Sequence, residues 1–254
     1  MTTEPIALKY LRRDRLPTMF CPGCGIGTVM TSFAQAVDEV GLDSKQVAIV
    51  TGIGCTGRIA GYLELDSLHG THGRALAVAT GAQAVRPDIT FVVFLGDGDG
   101  LSIGGNHLIH AARRNVKLTA IMVNNLIYGL TGGQLSPTTP LGIKSTTSPA
   151  GASEKPFDAS RLVAAAGASY VARWTTMHPR QLKDSIVKGL KNPGFSFIEA
   201  ISQCPPIFGR RNAMAEPEDL TEWLETHAWQ HDKENGEGKL EPAWPLGEFV
   251  GGGP

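Results

Sequence analysis

Two apolar runs in this sequence are each followed at once by a polar motif, and that arrangement most constrains the fold. Phe91–Leu95 precedes Gly96-Asp97-Gly98, and Leu118–Val123 precedes Asn124-Asn125. The residues between the motifs carry apolar side chains at helical spacing. A strand, a helix and a second strand form a parallel unit, in which both strands end at the same edge of the sheet. The sequence therefore predicts an α/β fold that brings the two motifs side by side.

The two motifs offer the groups that a magnesium–diphosphate site needs. Asp97 and Asn125 supply hard oxygen ligands, which suit Mg²⁺, and Mg²⁺ normally completes its octahedron with phosphates. Gly96 and Gly98 would let the backbone approach a diphosphate beside the following helix N-terminus. Asp99 is an alternative metal ligand, although the sequence favours a solvated turn carboxylate. A Gly-Asp-Gly triplet alone is common in turns, so the prediction depends on both motifs at this spacing.

The length and composition of the chain are those of one globular α/β unit. Its 254 residues are 42% hydrophobic, which is enough to bury one sizeable core. We expect a mostly parallel sheet with helices on both faces in residues 1–212, and a C-terminal helix and tail in residues 213–254. The net charge of −1 gives no indication of nucleic-acid binding.

The sequence also bears on where the protein resides. No run approaches the ~20 apolar residues of a membrane span, and the N-terminus lacks the apolar core of a signal peptide. Few cysteines with one CxxC pair favour metal binding in a reducing compartment over disulfides. The expected location is therefore cytoplasmic.

Local patterns predict several further elements. A helix should begin after Gly25 and end at Gly41, and Gly81 suggests close backbone packing within another helix. Val47–Val50 and Phe195–Ile201 have the composition of buried strands. Residues 129–156 are rich in Gly, Ser, Thr and Pro, and we expect an ordered lid there, with a flexible loop as the alternative.

Four cysteines are the second informative set. Cys21 and Cys24 form a Cys-Pro-Gly-Cys pair, whereas Cys55 and Cys204 are isolated and follow the two predicted strands. Four thiols match one tetrahedral zinc ion or one [4Fe–4S] cluster. Spacing alone slightly favours zinc, but zinc sites usually use two CxxC pairs. A redox-active dithiol at the CxxC pair would leave the other two cysteines unexplained.

These motifs together resemble a known family. The Gly-Asp-Gly and Asn-Asn pair resembles the thiamine-diphosphate signature, and Thr71–Ala75 and Thr131–Thr139 add to the match. With the four cysteines, the chain resembles the β subunit of 2-oxoacid:ferredoxin oxidoreductases, most closely the 2-oxoglutarate type. The resemblance extends from Cys21 to about Arg211.

The resemblance implies three cofactors. Mg²⁺ would be bound by Asp97, the side chain of Asn125 and the main-chain carbonyl of Ile127. A [4Fe–4S] cluster would be bound by Cys21, Cys24, Cys55 and Cys204. The residues expected around thiamine diphosphate are Ile53, Gly54, Cys55, His72, Gly96, Asp97, Gly98, Asp99, Asn125, Ile127, Gly129, Leu130 and Thr131.

The reaction implied by the family is oxidative decarboxylation of a 2-oxoacid with coenzyme A. For 2-oxoglutarate the products are succinyl-CoA and CO₂, and electrons pass one at a time through the cluster to ferredoxin. Pyruvate or another 2-oxoacid is an alternative substrate. A non-oxidative thiamine-dependent decarboxylase with structural zinc and a catalytically silent subunit are alternative functions.

Two residues are candidates for contact with the substrate. His72 could hydrogen-bond the substrate carboxylate, or it could be a satisfied core histidine. Arg58 could bind the distal carboxylate of 2-oxoglutarate, which is the reason for favouring that substrate, or it could form a surface ion pair.

One part of the expected active site is missing from this chain. Thiamine enzymes use a glutamate from a pyrimidine-binding domain, and the chain is long enough only for the diphosphate-binding domain. We expect a separate α subunit to supply that glutamate in an (αβ)₂ assembly, so that the chain alone is inactive.

Overall fold

The computed structural model describes residues 5–230 and 243–250, and most of its described strands belong to one sheet. The strands are β1 (Val47–Thr51), β2 (Asp66–His69), β3 (Thr90–Gly96), β4 (Thr119–Asn124), β5 (Ile127–Tyr128), β6 (Gln134–Leu135), β7 (Tyr170–Thr175), β8 (Ser196–Ile201), β9 (Ala228–Gln230) and β10 (Trp244–Val250). The helices are α1 (Ile26–Val40), α2 (Ala75–Val85), α3 (Gly105–Arg113), α4 (Ala159–Ala165), α5 (Pro179–Lys191) and α6 (Pro217–His227).

The order of the strands confirms a mostly parallel sheet. Eight strands of the described ranges lie in the order β2-β1-β3-β4-β8-β7-β10-β9, and β5 and β6 form a separate antiparallel ribbon. The first six strands of this spatial order, β2-β1-β3-β4-β8-β7, are parallel to one another. Their carboxyl ends therefore meet at one edge, which is where parallel sheets of this kind bind ligands.

Hydrophobic layers cover both faces of the sheet, as predicted. Along β3, Val92 and Phe94 face the layer that contains α1 and α5, whereas Val93 and Leu95 face α2, α3 and α4. Phe33 of α1 is fully buried and meets Phe94 edge-on, with the ring centroids 5.1 Å apart. Burial of such a side chain stabilises the fold by about 1.5–3 kcal/mol.

Two glycine predictions have different outcomes. Helix α1 ends at Gly41, whose φ of 73° is left-handed and whose N–H donates to the carbonyls of Val37 and Asp38. The expectation of close packing at Gly81 is wrong. In the described part of the chain, nothing lies within 4 Å of the position that a Cβ on Gly81 would take. That residue is exposed on α2.

The crossover between β3 and β4 begins with a widened turn. Asp99–Ile103 is π-helical, and the α-helix itself begins at Gly105, several residues later than the apolar spacing suggests. Gly104 lies against the backbone of Gly73, which leaves no room for a side chain at either position. The loop before α2 thus packs directly on the turn that follows the Gly-Asp-Gly motif.

The C-terminal segment adds two strands that the sequence analysis did not predict. Helix α6 is amphipathic as expected, with Leu220 and Leu224 buried. Strand β10 then pairs antiparallel with β7, although Pro245 and Gly247 interrupt its apolar pattern. The division at residue 212 stays a prediction, and residues 1–4, 231–242 and 251–254 lie outside the described ranges.

The helices are those of a protein without a described membrane span. Within residues 5–230 and 243–250, no helix is both long enough and apolar enough to cross a membrane.

Candidate functional site

The two polar motifs lie side by side, as the sequence predicts. Strands β3 and β4 are adjacent and parallel, with Gly96 opposite Val123. Asp97 and Asn125 therefore leave the sheet at the same edge. Both side chains are buried, with exposed fractions of 3% and 8%.

The Asp97 carboxylate lies in a nest of hydroxyl groups. Its Oδ2 accepts hydrogen bonds from Ser136 Oγ at 2.7 Å and from Thr138 Oγ1 at 3.0 Å. Burial nevertheless raises the pKa of Asp97 to about 6, because these hydroxyls compensate only part of the lost hydration. A cation beside the carboxylate would stabilise its ionised form and so offset the remaining cost of burial.

Asn125 provides an independent indication of a ligand. Its Oδ1 is buried and has no hydrogen-bond partner among the described residues. An unsatisfied buried amide oxygen costs about 1–3 kcal/mol, so such an atom usually has a partner. A divalent cation held with Asp97 would satisfy it, and these donors therefore fit Mg²⁺. Ile127, the third expected ligand, is buried two residues further on.

The Asp99 carboxylate is buried and accepts hydrogen bonds from its own chain, so its interpretation as a solvated turn carboxylate is wrong. Its Oδ1 accepts the Gly73 N–H at 2.6 Å and lies 3.0 Å from His72 Nδ1. A Cβ on Gly52 would collide with the carboxylate. Asp99 thus joins the loop after β1 to the loop before α2, and the sequence contains no signal that these loops converge on it.

The contacts of His72 define its tautomer. Nδ1 lies 3.1 Å from the Ile53 carbonyl and 3.0 Å from the Asp99 carboxylate. Both neighbours only accept hydrogen bonds, so Nδ1 carries the proton. Nε2 is then the atom that His72 can offer to a ligand.

His72 belongs to a pocket of about 490 Å³ that gathers many of the predicted cofactor residues. Its lining consists of Ile53, Gly54, His72, Tyr128, Leu130, Thr131 and Gln134. No sequence pattern points to Tyr128. Its ring would collide with a Cβ on Gly98, and its hydroxyl donates to the Gly98 carbonyl at 3.2 Å. Position 98 therefore has no room for a side chain, because the Tyr128 ring occupies that space.

All four cysteines line a second cavity, of about 270 Å³. They are free thiols. In residues 5–230 and 243–250, no three Cys, His, Asp or Glu side chains lie close enough together to share one metal ion. The thiols thus surround the cavity instead of converging on one point.

The thiol cavity adjoins the Asp97–Asn125 site at Gly129. The position of a Cβ on Gly129 lies 3.5 Å from Cys204 Sγ, 3.8 Å from Cys55 Sγ and 3.8 Å from Asn125 Nδ2. Two strands of the sheet, β1 and β8, deliver these cysteines to the edge where β4 delivers Asn125. The isolated cysteines, which follow two predicted strands, therefore converge on the polar motifs in the fold.

Burial disfavours the thiolate form of three of the four cysteines. Burial raises the pKa of Cys24 to about 12 and that of Cys55 to about 11. It also raises the pKa of Cys204. Reactive cysteines have a lowered pKa, because the thiolate is the nucleophile. These thiols are protonated at neutral pH, and a metal that binds them must displace their protons.

Arg58 and His72 line different cavities. Arg58 is exposed and lines the thiol cavity, whereas His72 lines the larger pocket. Leu130 contributes to both cavities, so they are neighbours. The role of Arg58 in substrate binding stays a prediction.

The contacts of Ser136 and Thr138 with Asp97 have no signal in the sequence. Both residues belong to the Thr131–Thr139 segment that supported the family resemblance, but nothing in the sequence links them to Asp97. The segment is ordered, with strand β6 and hydroxyl groups that contact the carboxylate.

Comparison with known proteins identifies the family. A family model described as the C-terminal TPP binding domain of thiamine pyrophosphate enzymes matches residues 44–200. The 2-oxoglutarate synthase subunit KorB of Methanothermobacter marburgensis is 56% identical over 96% of this chain and 86% of its own length. The chain belongs to the KorB family. It is thus a β subunit of a 2-oxoacid:ferredoxin oxidoreductase, as the sequence motifs indicate.

Two further comparisons extend the family assignment. KorB of Methanocaldococcus jannaschii is 51% identical over 96% of this chain and 91% of its own length. A solved structure is described as 2-oxoglutarate:ferredoxin oxidoreductase from Magnetococcus marinus with 2-oxoglutarate, coenzyme A and succinyl-CoA bound. It matches 100% of this chain and 87% of its own, with 32% identity and a TM-score of 0.86. The predicted thiamine-diphosphate-binding α/β fold is confirmed.

Proposed function

We propose that this chain is the cofactor-binding β subunit of an enzyme that decarboxylates 2-oxoglutarate oxidatively, with coenzyme A as the acyl acceptor and ferredoxin as the electron acceptor. The products are succinyl-CoA and CO₂. The observation that carries the proposal is the buried pair of Asp97 and the unsatisfied Asn125 oxygen, directly beside a cavity lined by four thiols. KorB relatives named for 2-oxoglutarate support this substrate over pyruvate.

Each implied cofactor has a place among the residues of the chain. Asp97, Asn125 and the Ile127 carbonyl would bind Mg²⁺, and the pocket beside His72 would receive thiamine diphosphate. The four cysteines would bind the [4Fe–4S] cluster, because a cavity of about 270 Å³ between separated thiols suits a cluster better than a single zinc ion. When bound, thiamine diphosphate would supply an electron sink for decarboxylation of the 2-oxoacid, and the cluster would supply one-electron transfer.

The protein's own groups position these partners. Asp99 fixes His72 with a proton on Nδ1, and Nε2 would donate to the substrate carboxylate only in the imidazolium form, in which both ring nitrogens carry a proton. Gly129 has no side chain. A Cβ there would lie within 3.8 Å of the Asn125 amide and of two sulfurs, so its absence allows cofactor and cluster to approach each other. A short separation favours electron transfer between them.

The function requires a partner. We propose a cytoplasmic (αβ)₂ complex, in which the α subunit supplies the pyrimidine-binding domain and its glutamate, and ferredoxin collects the electrons. The decisive experiment is co-expression with the α subunit, followed by a panel of 2-oxoacids with coenzyme A and a dye acceptor. We expect turnover with 2-oxoglutarate and none by this chain alone. Turnover without the partner, or a preference for pyruvate, would contradict the proposal.

The pKa of Asp97 predicts a pH dependence of cation binding. Above a pH of about 6 the carboxylate is ionised and can bind Mg²⁺, whereas below it a proton competes with the cation. We expect cation affinity to fall by up to about tenfold for each pH unit below that value. Mn²⁺ titrations of the complex between pH 5 and 8 would measure this. The same titrations of free thiamine diphosphate correct for its own protonation, and a corrected affinity that does not change would refute the prediction.

Arg58 provides a test of substrate preference. Replacing it with leucine should raise the KM for 2-oxoglutarate by about tenfold, because a guanidinium bound to the distal carboxylate is lost. The KM for 2-oxobutyrate, which has no second carboxylate, should change much less. Arg86→Leu removes an exposed arginine paired with Asp88 and is the matched control. Equal effects of the Arg58 replacement on both substrates would remove Arg58 from the binding site.

A further inference from the structure

The backbone between two expected cation ligands adopts an unusual conformation. Leu126 lies between Asn125 and Ile127, and its φ of 65° is in the left-handed region. Residues with a Cβ rarely adopt this conformation, and they keep it only where their surroundings fix it. The residue therefore needs specific contacts to hold it.

Three ties hold Leu126. Its N–H donates to Asn124 Oδ1 at 3.2 Å, and its carbonyl accepts from Thr139 Oγ1 at 2.6 Å. Its side chain is 2% exposed and packs with Phe208 and Leu220. Both polar backbone groups and the side chain are thus fixed.

Asn124 is itself oriented by a buried ion pair. Its Nδ2 donates at 2.8 Å to Glu199, whose other carboxylate oxygen accepts from Arg173 Nε at 2.7 Å. The paired carboxylate can only accept, so the amide nitrogen of Asn124 must face Glu199 and its oxygen must face Leu126. Glu199 and Arg173 are each 1% exposed, which protects this arrangement from water.

Thr139 connects the same turn to Asp97. Its hydroxyl donates to the Leu126 carbonyl and accepts the Ser136 N–H at 2.8 Å, and Ser136 Oγ donates to Asp97 at 2.7 Å. One loop therefore fixes the backbone beside Asn125 and also the carboxylate opposite.

We propose that Asn124 and Thr139 are positioning residues, which hold Leu126 in its left-handed conformation so that Asn125 and Ile127 are arranged for the cation before it binds. This inference rests on the proposed cation site. In a preorganised site the cation does not have to order the loop, so affinity is higher. The two hydrogen bonds that tie Leu126 to Asn124 and Thr139 form a clamp. Loss of the clamp should weaken cation binding although every ligand remains.

Thr139→Val removes the hydroxyl at nearly constant volume and is the main test. In the complex with the α subunit and thiamine diphosphate, Mn²⁺ can replace Mg²⁺ and be titrated by electron paramagnetic resonance. We expect Mn²⁺ binding to weaken by about tenfold, as for loss of one buried hydrogen bond, with the KM for the 2-oxoacid unchanged at saturating cation. Thr139→Ser keeps the hydroxyl and should restore affinity to within about threefold.

Thr119→Val is the matched control. Thr119 lies at the opposite end of β4, is also buried, and donates to the Gly189 carbonyl at 3.0 Å. Its replacement should lower the melting temperature about as much as Thr139→Val does, with no change in Mn²⁺ affinity. Should Thr139→Val fail to assemble, Asn124→Ala removes the other tie and should also weaken Mn²⁺ binding by about tenfold.

Two results would overturn the proposal. One is wild-type Mn²⁺ affinity in the clamp variants, and the other is an equal loss in the Thr119 control. If the wild-type complex itself bound no Mn²⁺ in the presence of thiamine diphosphate, the cation site would fall together with the clamp. That result is distinct, because it is seen before any substitution is made.

Discussion

Replacing Asp97, the proposed cation ligand, with asparagine is expected to weaken cofactor binding strongly and, at the same time, to stabilise the cofactor-free protein. Loss of the charged ligand should weaken Mg²⁺-dependent binding of thiamine diphosphate by about 100-fold or more. The rise in the pKa of Asp97 from 3.8 to about 6 means that its ionised form is disfavoured in the fold. At neutral pH this corresponds to a cost on the order of 3 kcal/mol, which the neutral amide would remove.

The pH dependence of unfolding tests whether the Asp97→Asn replacement stabilises the cofactor-free protein. The folded pKa is raised, so the wild-type protein gains stability as pH falls from about 6 towards 3.8, while the asparagine variant does not. The advantage of the variant should therefore shrink over this window. Denaturant unfolding of the cofactor-free complex and calorimetric titration with thiamine diphosphate and Mg²⁺ would measure both effects. Cofactor affinity at the wild-type level would show that Asp97 is not a ligand.

The sequence was sufficient to predict the parts of the fold that depend on local pattern and parallel topology. The apolar runs before Asp97 and Asn125 became adjacent strands because a short helical crossover leaves few other arrangements. Gly41 ended α1 because a left-handed residue there satisfies the last carbonyls. Strand β10 was missed because Pro245 and Gly247 disrupt the alternation that marks a strand.

The site was harder to predict where it depends on contacts between distant segments. Motifs and spacing were enough to single out Asp97 and the four cysteines as candidate ligands. The burial of Asp99 could not be predicted, since it results from Gly52 and Gly73, which lie far from it in sequence and close onto it in the fold. The left-handed turn at Leu126 was equally hidden, because leucine gives no signal of that conformation.

Replacing Cys55 with serine is expected to remove the proposed iron–sulfur cluster and to leave the proposed thiamine site in place. Serine is a poor ligand for iron, and the other three thiols cannot complete the coordination alone. Iron in the purified complex should fall from about four atoms per chain towards zero. Dye reduction with 2-oxoglutarate should drop by about 100-fold or more, because electrons lose their exit. Mg²⁺-dependent binding of thiamine diphosphate should change by less than about threefold, because serine nearly keeps the volume of Cys55 beside the cofactor and because Asp97 and Asn125 remain.

The control for this variant is Ile207→Ala, which alters the lining of the same cavity without removing a thiol. It should retain iron and most of the dye reduction. The comparison separates loss of a ligand from simple loosening of the cavity, which would affect both variants. Zinc in place of iron in wild-type complex prepared without air would contradict the cluster. Full dye reduction by an iron-free Cys55 variant would contradict the proposed route of the electrons, because the proposed cluster beside Asn125 would then be unnecessary.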